Sequence, residues 1–222
     1  MLPDLHRRPP SAPLDALTLG AAVSRAEQKR RTREAILASA GTLLRTRGIA
    51  ESTVGEVMQA AGLTVGGFYG HFDSKEELFV EAIRCAAAAG RQRMEAVAHV
   101  SPDRVGALNA VAAYLSPAHR DDVAGGCPLP NTVAEVARAG EPYRAALAEV
   151  YDSFVVPLAE MLGGSDASRK EALGLLSTMY GALSLSRAVA GTPLSDEILT
   201  AALDQAERVL AERRLQLPGN TP

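Results

Sequence analysis

The chain has 222 residues, of which 47% are hydrophobic and 22% charged, and this composition excludes collagen-like, low-complexity and largely disordered proteins. Aromatic residues make up only 4% and there is no Trp, so we expect a core of Ala, Leu and Val, which is typical of packed helices. Residues 1–80 carry 10 basic against 9 acidic side chains, whereas 81–222 carry 13 against 17. A polyanionic partner should therefore meet the N-terminal part.

Residues 1–23 are predicted to be a flexible leader, because four prolines and two aspartates interrupt every apolar run. No stretch reaches the roughly 18 consecutive apolar residues that a bilayer span needs, so no membrane partner is expected. Cys85 and Cys127 lack the spacing of a zinc site or a disulfide framework. We therefore predict no metal ion and no cofactor, and a protein of the reducing cytoplasm.

The first predicted helix covers 24–47, where apolar residues from Ile36 to Leu44 recur on one face and Gly48 follows. Its start carries a basic cluster that can contact phosphates, although the same residues also suit a solvated helix end. The cluster consists of Arg25, Lys29, Arg30, Arg31 and Arg33.

Two shorter helices come next. Thr53 and Glu56 have the spacing of a capping box that opens a second helix, which Gly62 ends. Thr64 is expected to cap a third helix with Phe68 and Phe72 facing inward. Because glycine permits the tight reversal between them, the pair predicts a helix-turn-helix with the third helix as recognition helix.

Capping patterns predict helices in the rest of the chain as well. Ser74 with Glu77 opens a fourth helix, and later starts are expected at Ser101–Pro102, at Glu141–Pro142 after a C-cap at Gly140, at Ser168 with Glu171, and at Ser195. Pro157 should kink or divide its helix. The stretch 117–130 is expected to be a loop with at most a short turn. No alternating strand pattern occurs, so the predicted fold class is all-α.

Residues 60–78, AAGLTVGGFYGHFDSKEEL, together with 36–53 upstream, closely resemble the DNA-binding signature of the TetR family of transcriptional regulators. The close match covers about 30–83, and the remainder is similar only in length and helical layout. The resemblance implies an N-terminal three-helix helix-turn-helix domain over 24–72 and a C-terminal helical bundle for ligand binding and dimerisation over 73–215. A flexible tail would follow at 216–222.

The same resemblance implies a double-stranded DNA operator as partner, with phosphate contacts at Thr53, Thr64, Tyr69, His71 and Lys75. Relatives often carry Lys, Thr, Arg or His where this chain has glycines, so Val65 and His71 should carry more of the base contact, and close backbone approach and operator shape should contribute more. The full set of expected DNA-binding residues is Arg33, Thr53, Thr64, Val65, Gly66, Gly67, Tyr69, His71 and Lys75.

One recognition helix with so few side chains that can contact base edges cannot specify a long DNA sequence. A homodimer that binds two half-sites is therefore expected. The resemblance places the interface in the last two helices, and the absence of charge from 172 to 186 agrees. The alternative is that these residues pack within one subunit. Candidate interface residues are Leu173, Leu176, Met179, Tyr180, Leu183, Leu199, Leu203 and Leu210.

A small-molecule effector pocket is implied between 74 and 162, although each candidate also suits plain core or surface. The candidates are Met94, Tyr114, Cys127, Asn131, Tyr151 and Phe154. Cys127 follows two glycines and precedes a predicted helix, whose N-terminal amides would lower the pKa of the thiol and favour a thiol-reactive effector. The alternative reading of Cys127 is a small buried residue.

The function expected from these features is that of a repressor that a small-molecule or thiol-reactive effector releases from a palindromic operator. Two other classes compete with it. A helical enzyme finds no support, because the chain has no Walker-type phosphate loop, GxSxG, HExxH or GxGxxG, and His6, His71, His99 and His119 lack ligand spacing. A protein-binding adaptor would use the uncharged helix as its docking face. Salt-dependent binding to promoter fragments separates DNA binding from the adaptor.

Overall fold

The computed structural model describes residues 24–98, 101 and 103–212, and this part of the chain is helical and has no strand. The all-α fold class is thereby confirmed. The predicted leader, the predicted tail, and His6, His99 and Pro102 lie outside the described residues. The α-helices and one 3₁₀ helix are α1 Arg25–Arg47, α2 Val54–Ala60, the 3₁₀ helix Val65–Gly70, α3 Lys75–Ala98, α4 Arg104–Tyr114, α5 Pro117–Asp121, α6 Leu129–Val136, α7 Glu141–Met161, α8 Asp166–Ala188 and α9 Pro193–Glu212.

The N-terminal elements share one core, because each turns its large apolar residues toward the others. Ser24 accepts a hydrogen bond from the Glu27 amide at the start of α1, and Gly48, with φ 82°, ends the helix as predicted. The predicted capping box of Thr53 and Glu56 is present at α2. Fully buried side chains of this core include Ile36, Leu44, Val57, Met58, Phe68, Phe72, Leu78 and Phe79.

A second core joins α4, α7, α8 and α9. It contains Val111, Leu115, Val155, Leu158, Leu175, Met179 and Leu199. Phe154 on α7 packs against both cores, and α3 packs on α1, α4 and α7. The two cores are therefore continuous through α3 and α7, although the sequence suggested a domain boundary at 72/73.

One predicted helix start is wrong because another group supplies the cap, and one predicted C-cap instead precedes a helix that starts at Glu141 as predicted. Asp103, rather than Ser101, accepts hydrogen bonds from the Val105 and Gly106 amides at the start of α4. Gly140 is the N-cap of α7 and not a C-cap, since α6 already ends at Val136.

Two serines predicted to start helices instead bond backward along the chain. α8 is capped by Ser165, while the buried Ser168 hydroxyl donates to the Leu162 carbonyl oxygen at 3.1 Å. α9 begins at Pro193, and the buried Ser195 hydroxyl donates to the Ser186 carbonyl oxygen at 2.8 Å. Both hydroxyls therefore close a preceding turn.

Two further expectations differ from the structure. α7 continues through Pro157 and is not divided there, and it packs against both α3 and α8. The stretch 117–130 is more ordered than a loop: it contains α5, which Ser116 caps, and the first residues of α6. No helix of the described ranges is long and apolar enough to cross a bilayer.

Candidate functional site

The turn between α2 and the 3₁₀ helix has the geometry that the sequence predicts. Gly62 adopts φ 71°, which an L side chain rarely adopts. The Leu63 amide donates to the Met58 carbonyl oxygen at 2.9 Å, and the Leu63 side chain packs against the N-terminal core. The geometry of the helix-turn-helix thus depends on Gly62, which allows the turn, and on the Leu63 side chain, which packs against the core.

The second helical element of the motif is a 3₁₀ helix and not an α-helix, and we call Val65–Gly70 the recognition segment. Thr64 occupies its N-cap position without a side-chain cap bond, so the predicted Thr64 cap is wrong. Three glycines in six residues disfavour an α-helix. Phe68 and Phe72 anchor the segment as predicted, each 1% exposed with ring centroids 5.9 Å apart.

The outer face of the recognition segment is open. Val65 is 54% exposed and Tyr69 76% exposed, and the Tyr69 ring packs edge-on against Phe68 at 5.2 Å between centroids. A Cβ added at Gly66 or Gly70 would meet no atom within 4 Å. The segment can therefore present bare backbone and one phenol hydroxyl to a groove.

The other residues predicted to contact DNA flank this face, and they differ in how far their side chains are already engaged in contacts within the chain. The Thr53 hydroxyl donates to the Glu56 carboxylate at 2.8 Å, so it is engaged in the capping box. Lys75 has its ammonium 5.6 Å from the Phe79 ring centroid. His71 Nδ1 is buried and has no hydrogen-bond partner among the residues described, and burial, Lys29 and Arg33 lower the pKa of His71.

Arg33 is held by its own chain, and its expected role as a phosphate contact stays a prediction. Its guanidinium donates twice to Glu81, at 2.7 Å each, and lies 4.2 Å from the Phe72 ring centroid. Glu77 lies 3.6 Å away. Arg33 therefore ties α1 to α3 by a two-point bond, a geometry that favours a fixed position.

Two further members of the basic cluster are also paired. Arg30 pairs with Glu27 and Glu34, and Arg31 pairs with Glu27. These pairs are exposed, and pairs of this kind contribute at most about 1 kcal/mol. Phosphates can therefore displace them at little cost in free energy.

A cavity of about 540 Å³ lies among α3, α4, α7 and the segment 116–129. Small apolar residues line most of it, including Ala86, Ala87, Gly90 and Ala110. Four of the predicted pocket residues line it as well: Met94, Tyr114, Cys127 and Phe154.

The other two predicted pocket residues do not line this cavity. Asn131 is exposed, and its amide donates to the Arg45 carbonyl oxygen. Tyr151 lines a separate cavity of about 370 Å³, with its hydroxyl 3.1 Å from Ser177 Oγ. Helical phase places these side chains on other faces of α6 and α7, and their expected role in effector binding stays a prediction.

One end of the large cavity is polar, with His119 at its centre. His119 Nε2 accepts a hydrogen bond from the Cys127 amide at 3.2 Å, and Nδ1 lies 2.7 Å from the Tyr114 carbonyl oxygen. Because an amide can only donate, Nε2 is unprotonated and Nδ1 carries the hydrogen. Burial lowers the pKa of His119, and both bonds favour the same neutral tautomer.

The Cys127 thiol differs from the sequence expectation. Burial raises the pKa of Cys127, and this effect outweighs the opposite effects of a hydrogen bond with Tyr114 and of the Leu129 amide at the start of α6. The predicted lowering of the pKa is therefore wrong in direction, since desolvation of the thiolate is the larger effect.

Two arginines that sequence reasoning did not identify stand behind this end of the cavity. Arg187 on α8 donates to the carbonyl oxygens of His119 and Arg120, at 3.0 Å each. Arg45 on α1 donates to the Gly126 carbonyl oxygen at 2.9 Å. They lie far from 119–127 in the sequence, so no local pattern signals them.

α6 connects the cavity wall to the helix-turn-helix. It starts at Leu129, which lines the cavity. Further along, the Glu135 carboxylate accepts hydrogen bonds from the Ile49 amide at 2.5 Å and the Ala50 amide at 3.2 Å. A change at the cavity wall can thus reach the turn that precedes α2 through one short helix.

The expected interface residues on α8 and α9 divide into two groups. Five are buried within the subunit's own core and are corrected accordingly, since α8 and α9 pack on each other and on α7 and α4: Leu176, Met179, Leu183, Leu199 and Leu210. Leu173 is 36% exposed, and Tyr180 and Leu203 are partly exposed. The open face of α8 also includes Gly174, Ser177, Gly181 and Leu185.

Comparison with known proteins gives two family matches. Residues 36–82 match the model for bacterial regulatory proteins of the tetR family, and 101–171 match the model for a tetracyclin repressor-like C-terminal domain. No curated protein matches the chain significantly.

Several solved structures are similar in fold. A TetR transcriptional regulator from Chloroflexus aurantiacus is 25% identical with a TM-score of 0.70, covering 83% of this chain and 96% of its own. The reduced form of NemR from E. coli is 23% identical with a TM-score of 0.68, covering 80% and 96%. A TetR-family regulator from Cytophaga hutchinsonii is 22% identical with a TM-score of 0.67, covering 81% and 95%.

Proposed function

The chain belongs to the TetR family of bacterial transcriptional regulators and is a DNA-binding regulator, and we propose that it is a homodimeric repressor released from a palindromic operator by a small-molecule effector. The observation that carries the proposal is the exposed face of the recognition segment, where the glycines leave the backbone uncovered by side chains. Regulators of this family are generally DNA-binding proteins without enzymatic activity. Because operator DNA lies in the bacterial cytoplasm, the protein acts there.

The recognition segment enters the major groove with Tyr69 donating to a phosphate and Val65 against a thymine methyl. Gly66 and Gly67 allow the backbone to approach the base edges, since no side chain intervenes. Thr53, Thr64, His71 and Lys75 flank this face and contact the DNA backbone. With so few side chains to read bases, the shape of the operator contributes to selection.

A second copy of the chain covers the open face of α8. This face is uncharged, and a Cβ added at Gly174 or Gly181 would meet no atom within 4 Å of the single subunit, so another helix can approach closely there. Leu185, which is 59% exposed, and Leu173 supply the apolar contact. Two subunits then present two recognition segments to half-sites on one side of the duplex.

The cavity of about 540 Å³ has the size of a small-molecule site. An effector that favours the released state binds that state more tightly than the operator-bound one. Contact with Cys127 or Leu129 moves the start of α6, and Glu135 transmits the movement to the turn before α2. The effector binds without reacting with Cys127, because burial disfavours the reactive thiolate; a covalent adduct at Cys127 in the mass spectrum of the effector-treated protein would contradict this.

Selection of bound fragments from genomic DNA tests the proposal. We expect enrichment of a palindromic site, binding that weakens as salt rises, and reduced transcription from the promoter that contains it. Tyr69→Phe keeps the ring against Phe68 but removes the hydroxyl, and should weaken binding. If no site is enriched, and if the amount of DNA bound does not change with salt concentration, the protein-binding adaptor would be favoured instead.

A further inference from the structure

The large cavity has an apolar body and a single charged end. Met94, Val150 and Phe154 line the body together with several alanines. The charged end consists of Arg93 and Asp122 on the wall and of Arg45 and Arg187 behind it. A ligand that fills the cavity therefore meets hydrocarbon over most of its surface and charge at one point.

Positive charge exceeds negative charge at this end. Arg45, Arg93 and Arg187 form no ion pair with a carboxylate in the described ranges. Arg45 and Arg187 donate instead to backbone carbonyl oxygens, which carry no full charge.

The nearby carboxylates do not balance these three guanidinium groups. Asp121 pairs with Arg120, which also pairs with Asp196. Asp122 is the one carboxylate on the cavity wall within the described residues, and it accepts a hydrogen bond from the Gly125 amide at 2.9 Å. With Arg120 included, four guanidinium groups stand against the three carboxylates of Asp121, Asp122 and Asp196, which leaves an excess of one positive charge.

We propose that the effector is an apolar carboxylate whose anionic group binds Arg93 at the charged end of the cavity while its hydrocarbon part occupies the apolar body. The inference rests on the proposed function and specifies its ligand class. Arg93 is exposed in this structure, so its donors are accessible to a ligand. A guanidinium matches the geometry of a carboxylate and can bond it at two points.

The charge distribution discriminates against the other ligand classes. A cation would enter a region of net positive charge with Arg93 on the wall, and bringing like charges together is unfavourable. A neutral amide of the same shape would gain the apolar contacts and could accept a hydrogen bond from Arg93, but it would lack the attraction between two opposite full charges. Neutral tautomer His119 and the protonated Cys127 thiol add no negative charge on this side.

Three probes with one hydrocarbon skeleton test the proposal by titration calorimetry of the full chain without DNA. They are 1-naphthaleneacetate, its neutral amide, and 1-naphthylmethylammonium. We expect the carboxylate to bind at least about tenfold more tightly than the amide, because only the carboxylate forms a bond between two charged groups with Arg93. The ammonium should bind most weakly.

Arg93→Gln and Arg91→Gln form the matched pair of variants. Both residues lie on α3, but Arg91 pairs with Glu95 and does not line the cavity. Arg93→Gln should weaken carboxylate binding about tenfold and amide binding much less. Arg91→Gln should leave both affinities unchanged. Equal melting temperatures would establish that each variant is folded.

The inference is overturned if the amide or the ammonium binds as tightly as the carboxylate, if the two variants behave alike, or if none of the probes binds. Genomic selection separates these failures from failure of the proposed function. Enriched operators without carboxylate preference reject only the ligand class. Carboxylate preference without any enriched operator rejects the regulator and leaves a binding site for apolar acids.

Discussion

The recognition segment and the charged end of the cavity use arginine in opposite ways. Near the recognition segment, Arg30, Arg31 and Arg33 pair with glutamates of α1 and α3, and the segment itself bears no charge. At the cavity, Arg45, Arg93 and Arg187 have no carboxylate partner among the residues that the structure describes. The number of basic residues in a region therefore does not give the charge that a partner meets there. That charge depends on how many of these residues are already paired with carboxylates.

The same contrast applies to how each region recognises its partner. The recognition segment offers backbone, one phenol and one isopropyl group, so a duplex is selected by fit and by repetition across two subunits. The cavity offers apolar walls with one point of charge, so a small molecule is selected by its head group.

A charge placed on the recognition segment tests whether its open face meets DNA. Gly66→Glu fits the free subunit, because a Cβ there meets no atom within 4 Å, but it puts a carboxylate against phosphates. We expect operator affinity to fall about 100-fold, since like charges brought together cost several kcal/mol. Fluorescence anisotropy measures this, with Ala145→Glu on the exposed side of α7 as control. Unchanged affinity for Gly66→Glu would remove this face from the DNA interface.

Arg33 and Lys29 separate a structural arginine from a phosphate contact. Arg33→Gln should lower the free energy of unfolding by about 2 kcal/mol, because the two bonds to Glu81 and the contact with Phe72 are lost. It should leave the salt dependence of DNA binding unchanged. Lys29→Gln should do the opposite, reducing the salt slope by about 0.9.

Urea denaturation and anisotropy at several salt concentrations provide the two measurements. If Arg33→Gln lowers the salt slope as Lys29→Gln does, Arg33 leaves Glu81 on binding DNA, and the contrast between paired and available arginines fails at this residue.

Glu135→Gln tests the connection through α6. The amide side chain keeps one acceptor oxygen in place of the two that bind Ile49 and Ala50, at a cost of about 1 kcal/mol. Hydrogen exchange at these two amides should speed up about fivefold to tenfold. Glu149→Gln, in an exposed pair with Arg84, should leave their exchange unchanged. Equal exchange in both variants would mean that Glu135 does not hold the turn.

His119 predicts a small pH dependence of stability. Burial lowers the pKa of His119 in the folded chain, so the unfolded chain binds more protons below about pH 6.5 and stability falls as the pH drops. His119→Gln should make the decline between pH 7 and 5 shallower by about 1 kcal/mol. Denaturation at several pH values measures it. An unchanged slope would assign the pH dependence to other groups, such as His71, whose pKa is also lowered.

Local features of the N-terminal part were predictable because the interacting groups lie within a few residues. The Thr53 and Glu56 capping box, the Gly62 turn and the inward Phe68 and Phe72 all occur as expected. The predictions failed where a distant group competed for the same atoms. Ser168 and Ser195 bond to preceding turns rather than cap helices, and Arg33 binds a glutamate 48 residues away.

The sequence by itself determined the helical class, the family and the helix-turn-helix, since spacing of apolar residues, caps and one glycine act over a single turn of chain. Only the tertiary structure decided which leucines of α8 and α9 are already buried, and that Arg45 and Arg187 stand behind a cavity wall 60 or more residues away. Helix packing determines which residues meet, and such long-range contacts produce no repeating pattern of residues along the sequence. Burial and pairing, which determine how each charge behaves, arise only when the helices meet.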